Sequence, residues 1–223
     1  MRELGFEGTY QDRLGSEAIS WQIVPSSRYG RMRWYEIRTT VRGVPIWGMD
    51  FDGLSPDDLD AARAASLPVD ASEVVTDCVL SAALPMVVEV AGARREGTVC
   101  FTLDLRPGPD HPPARPRNLK LAATIDGITY EVVDDWFEDG MLRLEAELPA
   151  GVRLVACITC LYSDYSPAGH GLMGMSCHRD AKSQYLAVRS KFDYFRVPVT
   201  EEVPETYLCP EYERRVPGTG YRG

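Results

Sequence analysis

Residues 119–132, LKLAATIDGITYEV, carry the reading that decides the fold. Leu119, Leu121, Ala123 and Ile125 alternate with Lys120, Ala122 and Thr124, then Asp126-Gly127 intervenes, and Ile128, Tyr130 and Val132 resume the alternation. Successive side chains of an extended chain point to opposite faces, so apolar residues at every second position mark a half-buried strand. Asp-Gly suits the two left-handed positions of a tight hairpin turn. An antiparallel hairpin is expected here.

The same rhythm extends in both directions. Val99, Phe101, Leu103 and Leu105 alternate with Thr98, Cys100, Thr102 and Asp104, which places Cys100 on the polar face and makes it a poor ligand. Alternation also predicts a second hairpin, pairing 129–136 with 141–148 across Glu138-Asp139-Gly140, because Leu142, Leu144, Ala146 and Leu148 take turns with Arg143, Glu145 and Glu147. Further runs at 19–24, 33–41, 86–90 and 152–159 bring the total to about eight strands, the density of an antiparallel β-sandwich or a partly open barrel. Two insertions interrupt the strands. Ser55-Pro56-Asp57-Asp58 predicts a short helix near 56–65, with Ser55 as its cap, and the proline-rich stretch 107–117 predicts a stiff loop. Residues 1–156 thus read as one antiparallel β domain.

Composition sets the class. Hydrophobic residues make up 44% and charged residues 26%, ordinary values for a chain that folds. The opening MRELGFEGTY has no apolar run after its first Arg, and no later stretch has the length of a membrane span, so a cytoplasmic protein without a membrane role is expected. Of the net charge of −9, residues 151–223 contribute almost none, with 9 Lys and Arg against 8 Asp and Glu. The acidic first two thirds repel phosphate backbones, and Arg214, Arg215 and Arg222 are too few to offset them. Nucleic-acid binding is therefore not expected.

After Thr159 both rhythms stop. The stretch 161–176, LYSDYSPAGHGLMGMS, reads as irregular loop, and Ala181, Tyr185, Val188 and Phe192 predict a helix over 179–191 before an extended tail. This part holds Cys157 and Cys160 as a Cys-x-x-Cys pair, Cys177 after 16 more residues and Cys209 after another 31. Two thiolates three positions apart can grip one tetrahedral ion, and thiols of a reducing compartment serve metals more readily than disulfides. A structural zinc on Cys157, Cys160, Cys177 and Cys209 is expected, in a metal-stabilised loop-helix subdomain over 157–223. The same four thiolates would also suit an iron–sulfur cluster. His178 is an alternative to Cys177, and Cys78 reads as a buried residue.

Three segments carry a resemblance: Cys157-Ile-Thr-Cys160-Leu-Tyr-Ser-Asp-Tyr-Ser-Pro-Ala-Gly, Cys177-His-Arg, and Glu205-Thr-Tyr-Leu-Cys209-Pro-Glu-Tyr. Within about 155–215, and more loosely at Arg38-Thr-Thr-Val-Arg-Gly and Trp136-Phe-Glu-Asp, the chain resembles an uncharacterised bacterial family known only as a domain of unknown function. The resemblance implies kinship and a shared cysteine pattern, and no mechanism.

Other polar clusters are weaker. Asp164, Tyr165 and His170 could form an acid/base site beside the metal, although a turn in which Asp164 bonds loop amides accounts for the same residues. Asp134, Asp135, Glu138 and Asp139 lack the spacing of a calcium loop and read as a solvated rim. Gly169-His-Gly171 and Gly218-Thr-Gly220 lack a phosphate-binding fingerprint, and no hydrolase or metalloprotease motif is present. The leading expectation is a binding module with a protein partner. The alternatives are an enzyme of a bacterial biosynthetic or modification pathway with its site near Asp164 and His170, and a thiol redox protein using Cys157 and Cys160. Oligomeric state stays open.

Overall fold

The hairpin at Asp126-Gly127 forms as its sequence dictates: β8 (Asn118–Ile125) pairs with β9 (Ile128–Asp134), and Asp126 and Gly127 take φ of 50° and 82°. The computed structural model describes residues 3–26, 35–107, 118–167 and 174–221. Around that hairpin lie β1 (Leu4–Asp12), β2 (Gly15–Pro25), β3 (Tyr35–Val41), β4 (Val44–Gly48), the two-residue β5 (Ser55–Pro56), β6 (Val79–Val90) and β7 (Ala93–Asp104). They form one antiparallel sheet in the order β5-β4-β3-β2-β1-β6-β7-β8-β9. The chain is mainly β, as expected. Its end strands do not pair with each other, so the sheet is open rather than a closed barrel.

A fork in this sheet positions everything downstream. The edge of β6 that pairs with β1 over Val79–Ala82 pairs with a different strand, β10 (Val152–Val155), over Val87–Val90. Between them lies Pro85, which has no N–H to offer a neighbour on that edge. At the fork Gly8 of β1 lets the Trp21 indole of β2 pass overhead and donate to the Ser81 carbonyl of β6 at 3.1 Å. A Cβ at Gly8 would fall on that carbonyl oxygen and stand 2.5 Å from the indole nitrogen.

The core gathers rings from distant strands. Phe51, in the β4–β5 connection, meets Trp21 at 5.0 Å and Phe101 of β7 at 4.5 Å, and Phe101 meets Phe137 at 5.5 Å. For residues so far apart in strand order to touch, the sheet must curl around one apolar interior.

Three expectations need correction. The second hairpin is instead α2 (Phe137–Glu147), packed on β8 and β9. Leu142 faces out, whereas Phe137, Met141, Leu144 and Leu148 are buried at helical spacing, so the 3.6-residue period outweighs the alternation. The acidic residues at 138 and 139 lie in the first turn of α2, where the helix dipole favours them, and Asp134 pairs with Arg143 at 2.8 Å. The early helix, α1 (Leu59–Ala64), is capped by Asp58, whose carboxylate accepts from the amides of Asp60 and Ala61, while Ser55-Pro56 join the sheet as β5. The helix over 179–191 is broken: a 3₁₀ turn at Arg179–Ala181 leads into α3 (Lys182–Leu186), and Ser190 caps a separate α4 (Lys191–Tyr194). The proline-rich loop beyond Pro107 lies outside the described residues.

The C-terminal third carries its own small sheet of β11 (Ser163–Asp164), β12 (Met175–Cys177) and β13 (Glu201–Val203). It has a second cluster of Tyr162, Ala181, Tyr185, Val188, Tyr194 and Val197, while Met175 and Val203 pack into the main core. Among the described residues no helix is long and apolar enough to cross a membrane.

Candidate functional site

The chain leaves β10 at the fork and folds at once into a 3₁₀ turn, Cys157–Thr159, closed by the Cys160 amide on the Cys157 carbonyl at 3.0 Å. This turn is tied to the tail from two sides. The Cys157 amide donates to Tyr207 O at 2.7 Å and the Ile158 amide to Glu205 O at 3.0 Å, which draws Cys209 toward the turn. Cys177 arrives on β12, opposite Ser163. All four cysteines are buried. Cys157 and Cys177 belong to the main core and Cys160 to the second cluster, so these three lie where the two clusters meet.

Burial and mutual repulsion both act on these thiols. The Cys157 thiol is pushed well above its ordinary range, first by burial and then by Cys160, Cys177 and Cys209. Burial likewise raises Cys160 and Cys177, and Cys209 adds to both. Main-chain amides oppose this: those of Tyr162 and Glu213 favour the Cys160 thiolate, and that of Arg179 favours Cys177. The Arg179 guanidinium reaches the Cys177 sulfur at 3.5 Å while paired with Glu201. Among the described residues, no group of three or more His, Cys, Asp or Glu side chains is positioned to hold a metal ion.

Asp164 and Tyr165 lie beside this junction, both buried. Asp164 accepts from the Tyr165 amide at 2.9 Å and from the Tyr185 hydroxyl at 2.9 Å. Arg215 bonds the same Tyr185 hydroxyl at 3.2 Å and the Ser163 carbonyl at 2.6 Å. His170 lies outside the described residues. His178 is fully buried, stacked on Tyr185 at 5.0 Å, with Nδ1 at the Pro198 carbonyl and Nε2 at the Tyr194 hydroxyl. A carbonyl only accepts, so Nδ1 carries the proton and Nε2 takes the phenol's; burial keeps the ring neutral by lowering its pKa. Both nitrogens are engaged, which removes His178 as a rival to Cys177.

Sequence reasoning missed Glu205. Its carboxylate is fully buried, accepts from the Tyr165 hydroxyl and from the Gly174 amide at 3.0 Å on one oxygen, and has no partner for the other oxygen among the described residues. Burial raises its pKa to about 7. A lone Glu in an irregular tail offers no period from which burial could be read. Cys78 is buried as expected, its thiol pushed up to about 12 by burial, and Cys100 is exposed on the outer face.

The model of a family of unknown function (DUF6304) matches residues 4–163. The match spans the whole large sheet and the Cys157–Cys160 turn, and stops before Cys177 and Cys209. No curated protein and no solved structure matches the chain.

Proposed function

Since the chain belongs to DUF6304, a family of unknown function, we propose from its own residues that it is a binding module whose C-terminal third is fastened by one metal ion on Cys157, Cys160, Cys177 and Cys209. One observation supports the reading: Cys157, Cys160, Cys177 and Cys209, from three separate segments, are all buried, and the other three each act electrostatically on Cys157, although as they stand they are not gathered into a metal-holding group among the described residues. Four neutral buried thiols gain little from each other. Four thiolates sharing a cation would hold the loop and the tail onto the sheet, and structural zinc contributes on the order of 10 kcal/mol in small domains. The amides directed at Cys160 and Cys177 suit thiolates, and an all-sulfur donor set favours zinc, with an iron–sulfur cluster as the alternative. Four protein ligands leave no open position for a substrate, which is why the module is read as non-catalytic.

The rival readings have less support. A redox nucleophile uses a lowered thiol pKa, whereas Cys157 is pushed the other way. An acid/base role for Asp164 asks for a free carboxylate, and this one is buried and bonded to Tyr165 and Tyr185.

Metal analysis with thiol counting on the purified protein tests the proposal. About one zinc per chain is expected, with Cys157, Cys160, Cys177 and Cys209 shielded from maleimide until a chelator is added. Cys209→Ser should lose the metal. A metal-free protein that folds normally, or one that keeps its zinc in Cys209→Ser, would overturn the reading.

A further inference from the structure

Phe192 and Phe195 are 78% and 56% exposed, where the sequence places Phe192 on the inner face of a longer helix. The break at Ser190 turns it outward. Three residues apart on one helical turn, the two rings share a side, and Val199 is exposed beyond them. The turn beneath them is anchored by packing and a cap. Tyr194 and Val197 lie in the second core cluster, and the Ser190 hydroxyl caps the Asp193 amide at 3.2 Å. Rings held this way lose little freedom when a partner covers them.

Lys191 and Arg196 are exposed beside the rings, Arg189 is exposed with its guanidinium donating to the Leu186 and Val188 carbonyls, and the one acid between 187 and 199, Asp193, is occupied by the Ser190 hydroxyl at 2.7 Å and the Arg189 amide at 3.3 Å. On a chain of net charge −9 this is a positive, aromatic exception. Single exposed apolar residues are ordinary, but paired aromatics with Arg beside them are the composition of interface centres.

We infer that the Phe192–Phe195 surface docks an acidic segment of a partner protein, with an apolar side chain set against the two rings and carboxylates paired with Lys191 and Arg196. Charge complementarity selects an acidic occupant, and the small extent of the patch selects a peptide segment over an anionic membrane. Near such a membrane each base adds about 1 kcal/mol, so three bases and two rings give only marginal attachment, and the acidic body of the chain opposes it. The inference rests on the reading of the chain as a binding module, and names the partner's chemistry.

Random 12-residue peptides displayed on phage, selected on the full-length protein and counter-selected on Phe192→Ser/Phe195→Ser, provide the test. Zinc content and melting temperature are measured on every sample. The winning peptides should combine Asp or Glu with Phe, Leu or Trp, and synthetic copies should bind roughly tenfold or more weakly to the double variant and to Lys191→Glu/Arg196→Glu. Winners without acids, binding indifferent to both variants, or no winners from a folded protein would overturn the inference. So would attachment to phosphatidylserine–phosphatidylcholine vesicles, or self-association, that disappears in Phe192→Ser/Phe195→Ser. Zinc retained without peptide binding sinks the docking surface alone; absent zinc sinks the metal reading.

Discussion

Gly8→Ala adds one methyl at the fork of the sheet, and the structure fixes where it must go. It lands on the Ser81 carbonyl, which the β1–β6 pairing holds in place, and meets Trp21 Nε1 at 2.5 Å and Cδ1 at 2.8 Å. Overpacking of this kind costs about 1–3 kcal/mol. Displacing the indole leaves its N–H and the Ser81 carbonyl unpaired, for about 1–3 kcal/mol more. Replacing a strand glycine returns about 0.5–1 kcal/mol of chain entropy. The net is roughly 3 kcal/mol, a large share of the 5–15 kcal/mol that typical domains possess. At about 2–4 °C per kcal/mol for a chain of this size, the melting temperature should fall by about 6–12 °C. Urea unfolding followed by tryptophan fluorescence measures it directly. Trp21→Phe, which removes the donor and leaves room, should cost about 1–3 kcal/mol alone, and the double variant should cost less than the sum. A Gly8→Ala protein within about 0.5 kcal/mol of the parent, or strict additivity with Trp21→Phe, would refute the geometry at the fork.

Met141→Ala should cost about 2–5 kcal/mol and Leu142→Ala less than about 1 kcal/mol, since Met141 is buried on α2 and Leu142 faces out; the reverse order in urea titrations would restore the strand. Glu205 has a folded pKa of about 7 against 4.5 in the unfolded chain, so the native state holds the proton more tightly: stability is fully present below about pH 4.5 and is lost as pH rises through about 7. Glu205→Gln should flatten that slope, removing a difference on the order of 3 kcal/mol, and an unchanged profile between pH 5 and 8 would exclude it. In the folded protein maleimide should modify Cys100 quickly and Cys78 only on unfolding, because one is exposed and the other buried with its thiol pushed up to about 12; prompt loss of both thiols would contradict the burial.

The sheet was largely legible in the amino-acid sequence. Val99, Phe101, Leu103, Leu119, Leu121 and Ala123 alternate cleanly and are all buried, and Asp126-Gly127 turns where expected. β1 escaped notice because Gly8 interrupts the apolar face that Leu4, Phe6 and Tyr10 make, and the gap at Gly8 lets Trp21 cross. Residues 141–148 satisfy both periods over a short span, and only the position of Phe137 decides for the helix. For the candidate site, the cysteines announced themselves by spacing. Glu205, Tyr185, Tyr194 and Arg215 did not, since their roles depend on long-range contacts that no local pattern encodes.

The divided edge of β6 has a bearing on biosynthesis. Val87–Val90 wait for β10, which the ribosome supplies some sixty residues later, after the strands on the opposite side have had time to pair. Until then the emerging polypeptide presents a bare valine-rich ribbon in its middle, open to pairing with other nascent chains. Truncations ending before residue 152 would keep that ribbon permanently uncovered, and they should aggregate even though nine consecutive strands, β1 to β9, are already complete.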